Sequence, residues 1–142
     1  MAPFELPEFD PSLESLFRAA ADAARHAYCP YSNFAVGAAV RLGSGLEFSG
    51  CNVENMSYPV GVCAERNTIG ASIRGRDTLS DVVEVMVLLA FKDGRPAECS
   101  PCGACRQALA EENTAGLVHF LGPDLSVITQ SVSQLLPFHF HL

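Results

Sequence analysis

The 142-residue chain has no apolar run long enough to cross a bilayer. Its longest, Val85 to Phe91, falls well short of the ~18 residues a membrane helix needs, so no membrane partner is expected. The first ten residues have neither a basic stretch nor an apolar one and carry Glu5, Glu8 and Asp10, unlike a secretory leader. The chain is therefore expected in the cytoplasm. Positive charge is also scarce: nine Lys and Arg stand against sixteen Asp and Glu, the net charge is −7, and Lys92 is the single lysine. Duplex binders present a basic face and strand-binding grooves are positive, so the balance argues against a nucleic-acid partner. There is no internal repeat, linker or low-complexity tract.

Hydrophobic residues make up 49% of the chain, which excludes disorder as the main state. The length predicts one domain spanning 1–142, with residues 1–11 as an N-terminal arm. A mean hydropathy of +0.19 is high for a chain without a membrane segment and is consistent with self-association. Ser12 is placed to cap a first helix whose apolar face runs Leu13, Leu16, Phe17, Ala20 and Ala24. Near-alternation from Phe34 to Leu42, a Gly43-Ser44-Gly45 turn and a stretch from Phe48 to Val53 predict two strands. A second helix is expected from near Cys63 to Ile73, and a third from near Cys102 to Glu111. Val82 to Phe91 reads as a central strand buried on both faces. Leu117–Leu121 and Leu125–Thr129 are joined too tightly for a crossover helix and predict an antiparallel pair. The whole predicts an α/β fold with a five-stranded mixed sheet between helical layers, a three-layer α/β/α sandwich.

The chemistry lies in two segments, Cys63-Ala64-Glu65-Arg66 and Cys99-Ser100-Pro101-Cys102-Gly103-Ala104-Cys105-Arg106. Each sits where a helix is expected to begin, and the positive end of a helix favours thiolate, the form that binds zinc. Two such helix starts facing one another would bring Cys63, Cys102 and Cys105 to one ion. Three protein ligands with an open fourth position describe a catalytic zinc site. Glu65 beside that position suits a carboxylate that takes a proton from water and later returns it. Three thiolates overcompensate a divalent ion, and Arg66 and Arg106, next to ligands, are placed to restore positive charge.

Cys63-x-Glu65 with Pro101-Cys102-x-x-Cys105 resembles the zinc-deaminase signature. With Asn52-Val53-Glu54-Asn55 upstream and Leu135-Leu136-Pro137 near the end, the chain resembles the small homotetrameric zinc-dependent cytidine deaminases from about Leu13 to Phe140. The resemblance implies the cytidine deaminase-like sandwich, one Zn²⁺ per subunit on Cys63, Cys102 and Cys105, and Glu65 as the proton carrier in hydrolysis at C4 of cytosine. It implies a small-molecule nucleoside substrate, cytidine or deoxycytidine, in pyrimidine salvage. Asn52 and Glu54 match the pair that hydrogen-bonds the sugar hydroxyls, Phe34 the aromatic that packs on the pyrimidine, and Ala64 a backbone donor to the base. Tyr58 and Phe140 match residues that reach a neighbouring subunit's pocket in a homotetramer with shared active sites. Pro59 after Tyr58, Asn67 after Arg66, and the short tail with His139 and His141 depart from the family pattern.

Other readings stay open at this level. One is deamination of a different cytosine nucleoside, such as an aminoacyl-nucleoside antibiotic. Another is action on a polynucleotide, which the acidic balance opposes. A third is a non-catalytic structural metal module, with Cys99 as a fourth zinc ligand or the start of an iron–sulfur run. Leu109 stands where that run would need its fourth cysteine. Cys29 and Cys51 read as core or loop thiols, and the four histidines have no ligand spacing to the cysteines.

Overall fold

The computed structural model describes residues 6–142, so the expected arm over 1–11 lies partly outside the described residues. Asp10, not Ser12, provides the first cap: its carboxylate accepts from the Ser12 amide at 2.9 Å. A 3-10 turn at Pro11–Leu13 then runs on into α1 (Glu14–Ala24). Proline's missing N–H costs nothing in a first helical turn, which moves the start upstream of Ser12. Phe9 stacks on Phe17 of α1 with ring centroids 4.3 Å apart.

The mixed sheet has six strands, not five. They are β1 (Phe34–Leu42), β2 (Glu47–Cys51), β3 (Val83–Lys92), β4 (Arg95–Ala97), β5 (Leu117–Leu121) and β6 (Val127–Ser131). The order is β2-β1-β3-β5-β6, and β4 pairs with β3. β3 and β5 are parallel; the other pairings are antiparallel. The extra strand is made by a tight turn in which Asp93 (φ 51°) and Gly94 (φ 79°) both adopt the left-handed conformation. Asp-Gly is a strong hairpin signal, and Pro96 is tolerated because the strand it sits in is short. β6 begins at Val127 and not at Leu125, because Gly122 N–H bonds Ser126 O at 3.0 Å and Leu125 (φ 64°) belongs to the loop.

The sheet is covered on both faces by separate apolar clusters. On one face α1 packs through Leu16, Phe17 and Ala20 against Ala39, Val87 and Leu89. On the other, α2 (Ala64–Gly75), α3 (Gly103–Glu112) and the short α4 (Val132–Leu135) cover Val40, Met86 and Leu88. β3 lies between them, with Met86 to Leu89 fully buried, as its unbroken apolar run requires. The three-layer arrangement is thus present. A Cβ on Gly37 would lie 1.8 Å from the Ala20 carbonyl oxygen, so this close approach of α1 to β1 needs glycine.

α2 and α3 run side by side. Their C-terminal ends are joined by an ion pair between Arg76 and Glu112, both nearly buried. Arg76 also donates to the Ser72 hydroxyl at 3.0 Å. α4 was not anticipated; Ser131 and Gln134 give it a reciprocal capping box. Among the described residues no helix is long and apolar enough to cross a membrane.

Candidate active site

Cys63 is the N-cap of α2 and Cys102 the N-cap of α3, and neither side chain is spent on capping its helix. Cys105 lies in the first turn of α3 and is fully buried. Because α2 and α3 are neighbours with the same direction, their N-termini bring the three sulfurs within 4.8 Å of one another. The Cys63–Cys102 separation is 3.9 Å and Cys102–Cys105 is 3.5 Å. Tetrahedral zinc with Zn–S bonds of about 2.3 Å sets its sulfurs about 3.8 Å apart, so this donor set fits the ion.

The electrostatics suit a cation. Hydrogen bonding from Cys105, then from Cys102, with the nearby Arg66 guanidinium, brings the Cys63 thiol down to about 5 against the effect of burial. Cys105 is pushed up by its hydrogen bond with Cys63 and by burial. The Arg66 guanidinium lies near enough to Cys63 to contribute to that lowering. Arg106 donates to the carbonyls of Pro101 and Leu135, each at 2.7 Å, and ties the start of α3 to the end of α4. Glu65, in the first turn of α2, is 4% exposed. Burial raises its pKa, while a hydrogen bond with Cys105 pulls the other way. Cys99 is outside the trio, and burial, followed by the charges of Glu65 and Cys63, pushes its thiol up to about 12.

A cavity of about 450 Å³ opens beside Cys63, and Asn52, Glu54 and Tyr58 also line it. These residues are held very differently from the cysteines. The segment around Val53 is clamped by reciprocal bonds with Val62 at 3.0 and 2.9 Å, and by a bridge to Tyr28. The Asn52 amide accepts from Val36 N–H at 2.8 Å and donates to Phe34 O at 2.9 Å, so it is largely engaged in fixing the start of β1. Glu54 accepts the backbone N–H groups of Tyr31 and Ser32 at 3.0 and 3.2 Å and the Ser32 hydroxyl at 2.5 Å. Those bonds, the Ser32 hydroxyl foremost, lower its pKa. Tyr58 is 77% exposed in a 3-10 turn, Tyr58–Val60, that Pro59 favours, and it meets Tyr31 edge-on. Pro59 thus shapes the loop before Cys63.

Of the six expected substrate-binding residues, three do not line the cavity, and of the cysteine corner only Cys63 does. Phe34 is half-buried at the start of β1, Ala64 is fully buried at the first position of α2, and Phe140 is 71% exposed in the tail, its carbonyl accepting from Gln107 at 3.0 Å. Six lining residues were not among those expected, and of these Tyr31 and Ser32 bear on the polar groups of the site. The sequence does put them next to Phe34, but nothing local reveals that they converge on Glu54.

A family model described as the zinc-binding region of cytidine and deoxycytidylate deaminases matches residues 11–120. A cytidine deaminase of Halalkalibacterium halodurans is 42% identical over 131 residues, covering 89% of this chain and 92% of that protein. One of Mycobacterium tuberculosis is 40% identical over 125 residues, covering 87% and 85%. Among solved structures, a cytidine deaminase of Burkholderia pseudomallei superimposes with a TM-score of 0.78 at 34% identity, covering 89% of this chain and 98% of that one. That of Mycobacterium tuberculosis gives 0.76 at 34%, covering 94% and 100%.

Proposed function

The chain belongs to the cytidine deaminase family and is a hydrolytic enzyme, and we propose that it converts cytidine and deoxycytidine to uridine and deoxyuridine with release of ammonia, in pyrimidine salvage. The observation that carries this reading is the convergence of Cys63, Cys102 and Cys105 beside a buried Glu65 at a cavity of nucleoside size. The catalytic unit is one domain over residues 1–142, acting in the cytoplasm.

Cys63, Cys102 and Cys105 hold one Zn²⁺ per subunit. Zinc so held supplies the Lewis acidity that makes water a nucleophile at neutral pH. Glu65 takes the proton from the water that adds to C4 and delivers it to the departing amine, so one carboxylate acts as base and then as acid. Its burial favours this, because a carboxyl whose pKa is raised toward the working pH both accepts and gives up a proton readily. Arg66 offsets the excess negative charge of three thiolates. The Ala64 N–H, at a helix start with no intrahelical acceptor, is available to the base. Phe34 packs on the flat pyrimidine, and Asn52 and Glu54 receive the sugar hydroxyls. Tyr58 and Phe140, both strongly exposed, complete a neighbouring subunit's pocket in a homotetramer.

Loss of cytidine absorbance on mixing with the zinc-loaded protein tests this directly. Turnover of cytidine and deoxycytidine is expected. Failure on both with turnover of a blasticidin-type nucleoside would move the assignment to the antibiotic substrates. A stable, active monomer would remove Tyr58 and Phe140 from the site.

A further inference from the structure

The strongest unassigned feature lies behind the cavity wall, at the hairpin between β3 and β4. Lys92 ends β3, opposite Phe34 of β1, and its ammonium donates to the carbonyl of Ser32. The next residue, Asp93, is tied to the same loop twice. Its amide donates to Asn33 O at 3.1 Å, and its carboxylate accepts from Asn33 Nδ2 at 3.1 Å. Asn33 (φ 54°) and Asp93 (φ 51°) are both left-handed, which Asn and Asp tolerate better than most residues. The hairpin tip therefore fixes the backbone of the Ser32-Asn33 turn from outside.

That turn is what holds Glu54. All three donors to the carboxylate come from Tyr31 and Ser32. The Ser32 hydroxyl that donates to Glu54 also accepts from Phe34 N–H at 3.0 Å, so its rotamer is set from both sides. Glu54 is left facing the cavity with its remaining acceptor capacity. The Lys92 charge reaches it across the loop.

We propose that Lys92 is a positioning residue for the sugar-binding carboxylate: by holding the Ser32 carbonyl it fixes the loop whose amide and hydroxyl donors aim Glu54 at the sugar hydroxyls of the nucleoside. It touches neither the substrate nor the reacting atoms. This rests on the functional reading above. A residue acting through Glu54 matters only when the ligand carries hydroxyls for Glu54 to accept. Its effect then falls on KM and not on kcat, since binding lost equally from ground and transition states raises KM alone.

The test is steady-state kinetics of zinc-loaded wild type, Lys92→Met and Lys92→Arg on cytidine and on the cytosine nucleoside lacking both the 2′ and 3′ hydroxyls. Lys92→Met is expected to raise KM for cytidine about fivefold, the size of one net hydrogen bond, with kcat held. KM for the dideoxy nucleoside should not move, and Lys92→Arg should restore the wild-type KM for cytidine. Wild-type turnover with an unchanged KM in Lys92→Met overturns the positioning role alone. So does an equal rise for both nucleosides, which would mean a general loosening of the loop. Absence of cytidine turnover by the folded wild type overturns the functional reading, and this role with it.

Discussion

The two halves of the active site are built on opposite principles. The cysteine corner hangs on two helix starts, so the pitch of α2 and α3 fixes Cys63 against Glu65 and Cys102 against Cys105. The rim that carries Asn52 and Glu54 is loop, held by the bonds Asn52 makes with Val36 and Phe34 and by those Glu54 accepts from Tyr31 and Ser32. In the proposed function the corner supplies reactivity and the rim recognition. Damage at the corner should therefore cost turnover, and damage at the rim should cost affinity or stability.

The largest break in that contrast should come from Cys102→Ser. It removes one of the three proposed ligands and is expected to strip zinc and abolish turnover, with metal content read by elemental analysis of the purified protein. A variant that keeps one zinc per chain and its activity would remove Cys102 from the corner. Next in size, Glu65→Gln should lower kcat about 10²–10⁴-fold, the usual worth of a positioned acid–base group, while zinc content and melting temperature hold. Unchanged behaviour would mark the metal as purely structural. At the rim, Asn52→Ala should destabilise the fold by about 1–3 kcal/mol, because Val36 N–H and Phe34 O lose their partner. Chemical denaturation reads this, and wild-type stability would make Asn52 purely ligand-facing.

The smallest effect lies outside both halves. His119 is buried on β5 beside the Thr129 hydroxyl at 2.8 Å, and burial lowers its pKa below the ordinary 6.5. In the fold it is neutral where the unfolded chain begins to protonate. Its contribution is complete above the unfolded value and is lost as pH falls through the window down to the folded one. Melting temperature measured between pH 7 and pH 5 should fall less in His119→Gln than in the wild type; equal falls would show that His119 adds nothing to the slope.

The same contrast explains how far the sequence alone could be read. Cys63-x-Glu65 and Cys102-x-x-Cys105 are local spacings, legible because a helix turns short separations into a shared face. The buried β3 announced itself by its Val/Leu/Met run. What escaped depends on contacts distant in the chain. Ser32 meets Glu54 across 22 positions, and the double use of the Asn52 amide is settled by where β1 begins. β4 had a visible cue in Asp93-Gly94, but three residues with a proline among them leave no periodicity to detect. Arg106 turns to the Pro101 and Leu135 carbonyls, a direction that adjacency to Cys105 does not reveal.

The Arg76–Glu112 pair lies a helix length from the cysteines, yet it bears on how the ion is loaded. Many small metal sites fold only around their metal, and much of the binding energy is spent on ordering the chain. Here two parallel rods are fastened at their far ends, so the opening between their near ends is set before any ion arrives. Less ordering would remain for the proposed zinc to impose, and more of the zinc–thiolate energy would be expressed as retention of the ion against chelators.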